Sequence, residues 1–102
     1  MLTVSTRRDV ERIMVVPAGE IDLASVDTLA AELAAAIDSD ASCIQVDLSA
    51  VTFVDSVGIH ALLKGRRLAE ESAKAYAVNG ADGVVREVLE LTGVWNHLTG
   101  QP

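Results

Sequence analysis

A serine follows an aspartate where a predicted strand gives way to a predicted helix, in the run Phe53-Val54-Asp55-Ser56-Val57-Gly58. In open α/β sheets, ligands and modified groups often lie at such a strand-to-helix step. A helix start carries free backbone N–H groups and the positive end of the helix dipole, so it tolerates an anion. A phosphate on Ser56 would therefore find stabilising partners in its own chain. The alternative, which the spacing alone favours, is that Asp55 and Ser56 are ordinary helix caps.

Metal binding and catalysis have weaker support. Asp22, Asp47 and Asp55 follow predicted strands and would form an acidic metal site if they gathered, but such residues more often cap helices and turns. His60 and His97 lack metal-ligand spacing to a cysteine or to a second histidine. The chain contains no G-x-S-x-G elbow, no P-loop and no G-x-G-x-x-G motif. We therefore expect no metal, no cofactor and no enzyme activity, and a small hydrolase is the less favoured class.

The helix that follows Ser56 has two unlike faces. Small and apolar residues share the face expected to pack on the sheet: Gly58, Ala61, Leu62, Gly65, Leu68 and Ala69. Polar residues share the opposite side: His60, Lys64, Arg67 and Glu71. Ile59 and Leu63 are predicted to lie off the buried face and to flank Arg66, an arrangement typical of a docking surface. The alternative is that another element of the same domain covers these two side chains.

Strands alternate with helices along the rest of the chain. The predicted strands are 2–6 and Ile13–Pro17, which form a hairpin, then Cys43–Leu48, Val51–Val54 and Ala75–Val78. Helices are predicted from Ser25 to about Ile37, from Ser56 to about Ser72, and from Asp82 to Gly93, before a short final strand at Val94–Leu98. This order predicts an α/β fold, a mixed sheet of four or five strands with helices packed on it.

Local signals refine these elements. Ser25 is the expected N-cap of the first helix, and Asp27 suits its first turn. One face of that helix is expected to be buried: Val26, Leu29, Ala30, Leu33 and Ile37. Pro17 has no N–H to donate to a ladder, so we expect it at a strand end or at a sheet edge.

Composition limits the possible classes of function. The chain has 102 residues, of which 50% are hydrophobic, so it is long enough to bury a core as one domain. Its net charge of −7 makes nucleic acids and anionic membranes poor partners. Cys43 is the single cysteine, which excludes an intramolecular disulfide and suits a reducing compartment. No signal peptide and no apolar run of the ~20 residues that span a membrane are found, so we expect a cytoplasmic protein.

Three segments resemble the STAS domain, and more closely the bacterial anti-sigma factor antagonists (anti-anti-sigma factors). In chain order they are Gly19–Ser25 (GEIDLAS), Val46–Ile59 (VDLSAVTFVDSVGI) and Val85–Val94 (VREVLELTGV). The resemblance runs from about residue 2 to residue 98 and implies a single STAS domain over residues 1–102. The final helix of the family is expected to be missing, because the chain stops at Pro102.

The resemblance also implies a phosphorylation-controlled partner switch, in which Ser56 is the phosphorylated residue. The unphosphorylated protein would bind an anti-sigma factor, itself a serine kinase of the histidine-kinase-like ATPase type, and so free a sigma factor. Phosphorylation of Ser56 by that kinase would end the complex, and a metal-dependent serine phosphatase would reset the switch. Asp55 would shape the acceptor step and Gly58 would let the partner approach. The residues expected to contact the partner are Asp22, Asp55, Val57, Gly58, Ile59, His60, Leu63 and Arg66.

The chain departs from the family pattern after the serine. Many relatives have Ser or Thr there, followed by Gly-Leu-Gly, whereas this chain has Val57, Gly58, Ile59 and His60. STAS domains also occur in anion transporters, lipid-transport systems and stress-sensing scaffolds. The alternative is therefore a constitutive scaffold or a transport-system subunit that is never phosphorylated.

Overall fold

A computed structural model describes residues 1–83, 85 and 86. Five strands and two helices follow one another in it: β1 (Leu2–Arg8), β2 (Arg12–Ile21), α1 (Val26–Asp38), β3 (Cys43–Asp47), β4 (Ala50–Val54), α2 (Ser56–Glu71) and β5 (Ala75–Asn79). The predicted order of elements is confirmed as far as β5. Of the predicted third helix, the described part has Asp82, whose carboxylate accepts a hydrogen bond from the Gly83 N–H at 2.8 Å. The stop at Gly93, the strand at Val94–Leu98 and His97 lie outside the described residues.

The sheet is mixed and is centred on β2. Strand β1 pairs with β2 in antiparallel fashion along one side, which confirms the predicted hairpin. On the other side, β3 pairs in parallel with residues 12–15 of β2, and β4 pairs in parallel with residues 18–21. Strand β5 adds in parallel to the outer side of β3. Strands β3 and β4 therefore lie one after the other along the same side of β2.

The placement predicted for Pro17 is wrong. Pro17 lies inside β2, opposite Val4 of β1, and its side chain is fully buried. It is tolerated there because it falls between the part of β2 that pairs with β3 and the part that pairs with β4. On the side of β2 that pairs with β3 and β4, neither strand therefore lacks a hydrogen-bond donor because of the N–H that Pro17 does not have.

The two helices pack side by side on one face of the sheet and enclose the core. The strands contribute alternate side chains, among them Val15, Ile44 and Val46, which have no exposed area. Helix α1 buries Val26, Leu29, Leu33, Ala36 and Ile37. The prediction that Ala30 belongs to this set is wrong: Ala30 is exposed and lies in the groove between α1 and α2, and Ala36 is buried instead.

Helix α2 lies close to β5 because a glycine faces the strand. A Cβ atom on Gly65 would lie 2.9 Å from the Tyr76 hydroxyl oxygen. The Tyr76 hydroxyl donates a hydrogen bond to the Leu62 carbonyl at 2.9 Å, and burial raises the pKa of this phenol above its usual value. The contact fixes α2 to the strand that lies farthest from β1 in the sheet.

Candidate functional site

The carboxyl ends of two neighbouring parallel strands define the candidate site. Ile21, the last residue of β2, is the register partner of Val54, the last residue of β4. Asp22 and Asp55 follow directly, and the Asp55 N–H donates to the Ile21 carbonyl at 3.3 Å. Both helices therefore begin at the same edge of the sheet, the place where open α/β sheets present their binding groups.

Asp55 is the N-cap of α2. Its Oδ1 accepts hydrogen bonds from the N–H groups of Val57 at 3.0 Å and Gly58 at 3.1 Å. Its backbone carbonyl accepts the first helical bond, from the Ile59 N–H at 3.0 Å. The expectation that the start of this helix offers free N–H groups to a phosphate is wrong for these two groups, because the neighbouring carboxylate already holds them.

Ser56 is the first residue of α2, and its side chain is exposed. Within the described part of the chain, its hydroxyl has no hydrogen-bond partner. Asp55 alone satisfies the side-chain capping of the helix. The hydroxyl is thus presented to solvent at a fixed position and has no structural bond to lose.

Two residues predicted to meet a partner face the interior. Gly58 is buried, and a Cβ atom there would lie 2.7 Å from a methyl carbon of Ile21 and 2.7 Å from one of Val54. Its lack of a side chain serves the approach of α2 to the sheet. The prediction that Ile59 lies off the buried face is wrong, since Ile59 is 8% exposed and belongs to the core cluster. The close approach at Gly58 turns this side chain into the core as well.

The remaining predicted contact residues lie on the outer side of α2. His60 is exposed and Val57 is half-buried. Leu63 is also half-buried and packs partly against the core. The Arg66 guanidinium pairs with the Glu70 carboxylate at 3.1 Å, one helical turn away. Exposed surface near Ser56 is thus provided by His60, with Val57 and Leu63 only partly available.

Asp22 closes the loop that leads into α1. Its carboxylate accepts a hydrogen bond from the Ser25 N–H at 3.1 Å. The Ser25 hydroxyl accepts from the Asp22 N–H at 3.0 Å and donates to the Glu20 carbonyl at 2.7 Å. Ser25 precedes α1 as predicted, but its side chain makes no capping bond to the helix, because the loop before the helix uses the hydroxyl.

The three aspartates of the acidic-cluster alternative each serve a local turn. Asp22 and Asp55 hold the bonds described above, and Asp47 accepts from the Ser49 N–H at 2.9 Å. Among the described residues, no group of three His, Cys, Asp or Glu side chains is arranged to hold a metal ion. The capping alternative therefore accounts for all three side chains.

Two exposed apolar side chains at this edge are not among the predicted contact residues. Leu23 is 76% exposed in the loop before α1, and Phe53 is 43% exposed near the end of β4. Phe53 faces outward because the pairing of β2 with β4 shifts between Gly19 and Glu20. An apolar residue within a polar turn is a sequence signal that could have identified Leu23. No sequence signal marks the bulge that exposes Phe53.

In the described part of the chain, the structure contains no helix with the length and apolarity that a membrane crossing requires.

Comparison with protein families gives one match, to a family described as Mlab, STAS domain, over residues 4–99. No curated protein matches the chain significantly.

Several solved structures share the fold. An anti-sigma factor antagonist from Mycobacterium paratuberculosis is 23% identical, with a TM-score of 0.87 over 99% of this chain and 85% of that one. The anti-sigma factor antagonist SpoIIAA in its unphosphorylated form is 22% identical, with a TM-score of 0.78 over 91% and 83% of the two chains. The Bacillus cell fate determinant SpoIIAA in its phosphorylated form is 20% identical, with a TM-score of 0.73 over 98% and 91%. At these identities the likeness establishes a common fold.

Proposed function

Since the chain belongs to the STAS domain family, we propose that it is an anti-sigma factor antagonist controlled by phosphorylation of Ser56. The unphosphorylated form binds an anti-sigma factor and so frees a sigma factor, and the phosphorylated form does not bind. The observation that carries this proposal is the Ser56 hydroxyl, exposed and without a hydrogen-bond partner among the described residues, beside a capping aspartate. The likeness to SpoIIAA, solved in an unphosphorylated and a phosphorylated form, supports it.

The proposed partners act in the cytoplasm on the same serine. The anti-sigma factor is a serine kinase of the histidine-kinase-like ATPase type, which transfers the terminal phosphoryl group of ATP to the Ser56 oxygen and releases ADP. A metal-dependent serine phosphatase hydrolyses the phosphate ester and restores the hydroxyl. The chain itself supplies the acceptor and the docking surface and no catalytic group.

The proposed contact surface surrounds Ser56. Leu23 and Phe53 are exposed apolar side chains at the same edge of the sheet, and His60 lies one turn along α2. Large side chains of this kind, once desolvated, are the usual anchors of a protein interface. Val57, Leu63, Arg66 and Asp22 border this surface, whereas Gly58 and Ile59 support it from within.

Phosphorylation would act through charge at this surface. A phosphate brings a charge of about −1.5 to −2. It would lie beside the Asp55 carboxylate, which holds the N–H groups of Val57 and Gly58. The helix start therefore stabilises the phosphate less than the start of an uncapped helix would. In the free protein the phosphate stays hydrated. A partner that removes this water would leave a poorly paired charge, which costs several kcal/mol. A loss of about 4 kcal/mol turns a micromolar complex into a millimolar one.

Labelling with ATP tests the proposal. Each candidate serine kinase of the source organism is incubated with the protein and ATP, and intact mass and site mapping follow. One phosphate on Ser56 is expected, and Ser56→Ala should abolish the labelling. Ser72→Ala, which alters another exposed serine of the chain, is the matched control and should leave the labelling unchanged. Labelling that persists in Ser56→Ala, or a chain that no kinase labels, would contradict phosphorylation control.

A constitutive STAS scaffold or transport-system subunit is the alternative. Two observations favour it: Asp55 occupies donors that a phosphate would otherwise use, and the matching family is described as Mlab rather than as an anti-sigma factor antagonist. Ser56→Asp separates the two functions once a partner has been purified. Weaker binding is expected for the switch, and unchanged binding is expected for the constitutive protein.

A further inference from the structure

His60 stands one helical turn beyond Ser56 on the outer side of α2. Its side chain is exposed, and among the described residues its imidazole has no hydrogen-bond or ion-pair partner. It occupies a position at which this chain departs from the Gly-Leu-Gly pattern described above. We propose that His60 is the intrachain partner of the phosphate on Ser56, an inference that rests on the function proposed above.

The spacing of the two residues brings their side chains together. Residues four apart on a helix share one face, with about 5–6 Å between their Cβ atoms. Ser56 begins α2 and His60 follows it by four residues, and both side chains are exposed. In pairs of this kind the anion is better placed N-terminal to the cation, which is the order in this chain.

Other partners for the phosphate are occupied or distant at the start of α2. The Asp55 carboxylate already holds two N–H groups of the helix. Residues 56–63 contain no lysine or arginine, and His60 is their only ionisable side chain. Lys64 lies eight residues beyond Ser56, about 12 Å along the helix axis. The imidazole is therefore the group of α2 nearest to Ser56 that can carry a positive charge.

The charged groups that surround the site from other elements are acidic. The carboxylates at this end of the molecule belong to Glu20, Asp22, Asp27 and Asp55. Asp27 of α1 lines the groove between α1 and α2 together with His60 and Lys64. Carboxylates repel a phosphate. Lys64 acts on the phosphate from more than the Debye length, about 10 Å at 0.1 M salt, so its charge is largely screened there.

Pairing makes the phosphorylated state sensitive to pH near neutrality. A phosphate ester gains its second negative charge at about pH 6, and an imidazole loses its positive charge between about pH 5 and 8. In that range each charge favours the charged form of the other group. The pair also takes the His60 imidazole out of the proposed contact surface, so phosphorylation withdraws a contact in addition to introducing charge.

Phosphorus NMR of the phosphorylated protein tests the pair. Phosphoserine is encoded genetically at position 56, so that no kinase is needed, and the phosphorus signal is followed from acid to alkaline pH. The midpoint of the second phosphate ionisation should be about 0.3–0.5 pH unit lower in the wild type than in His60→Gln, the shift expected for opposite charges about 6 Å apart in water. His60→Lys, whose charge is fixed, should keep the low midpoint.

Lys64→Gln is the matched control. It removes a cation from the same helix at twice the sequence separation from Ser56, and at 0.1 M salt it should move the midpoint by less than about 0.1 pH unit. The acidic groups are present in all these variants, so they do not contribute to the differences. Equal midpoints in the wild type and His60→Gln, or equal shifts in His60→Gln and Lys64→Gln, would overturn the pairing.

The two proposals fail in different ways. If no kinase labels Ser56, the proposed function fails, whatever the midpoints are. If a kinase labels Ser56 but the midpoints of the wild type and His60→Gln coincide, the function stands and the pairing fails.

Discussion

Two helices start at the same edge of the sheet, and each start contains an aspartate and a serine. Before α1, Asp22 and Ser25 bond to each other, and the Ser25 hydroxyl also donates to the Glu20 carbonyl at 2.7 Å. At α2, Asp55 caps the helix alone, and Ser56 is exposed with no hydrogen-bond partner among the described residues. The same pair of residue types thus yields one serine that holds the structure and one that is available for chemistry.

The difference shows how the proposed modification site is kept apart from a structural serine. The Ser25 hydroxyl joins Asp22 to Glu20 in the loop before α1, so it cannot be removed without the loss of these bonds. At α2, Asp55 provides the capping bonds and leaves the adjacent Ser56 hydroxyl without a structural task. The chain can then change the chemistry of Ser56 while keeping the helix start in place.

Loss of the cap should have the largest effect on stability at this edge. Asp55→Ala removes the acceptor of the Val57 and Gly58 N–H groups, so we expect a loss of about 1–2 kcal/mol in the free energy of unfolding. Asp55→Asn should retain most of the stability, because asparagine caps helices about as well. Urea denaturation of both variants measures this. Equal losses of unfolding free energy in the two variants would show that the Asp55 carboxylate stabilises the protein in a way other than helix capping.

The two serines should differ when each is replaced by alanine. Ser25→Ala removes the hydroxyl that joins Glu20 to Asp22 and should cost about 1 kcal/mol, the usual net value of such bonds. Ser56→Ala should stay within about 0.5 kcal/mol of the wild type, as exposed substitutions generally do. The same denaturation experiment compares them. A loss in Ser56→Ala as large as in Ser25→Ala would remove the distinction between the two helix starts.

Sequence alone predicted the elements as far as β5 and the place of Ser56 at the start of α2, because both depend on local signals. The alternation of apolar residues marked the strands, and the Asp55-Ser56 step marked the start of α2. The task of Ser25 was not predictable, since its hydroxyl bonds within the preceding loop in a geometry that spacing does not reveal.

The errors have tertiary causes. The helical wheel gives the order of side chains around α2 but not which angle faces the sheet. That angle depends on how closely Gly58 approaches Ile21 and Val54, and it buries Ile59. The missing donor of Pro17 predicts a strand end or a sheet edge, but the gap between the two parallel partners of β2 accommodates this residue inside the strand. Both outcomes depend on residues distant in sequence.

The most direct test of the partner switch compares the bare and the Ser56-phosphorylated protein, each titrated with the anti-sigma factor and each recorded as an amide NMR spectrum. The account predicts that the bare form binds and the phosphorylated form does not. The spectra of the two free forms should differ only around residues 53–62, since the added charge lies at the start of α2 and the fold is kept. A phosphorylated form that still binds, or shifts spread across the whole sheet, would contradict it.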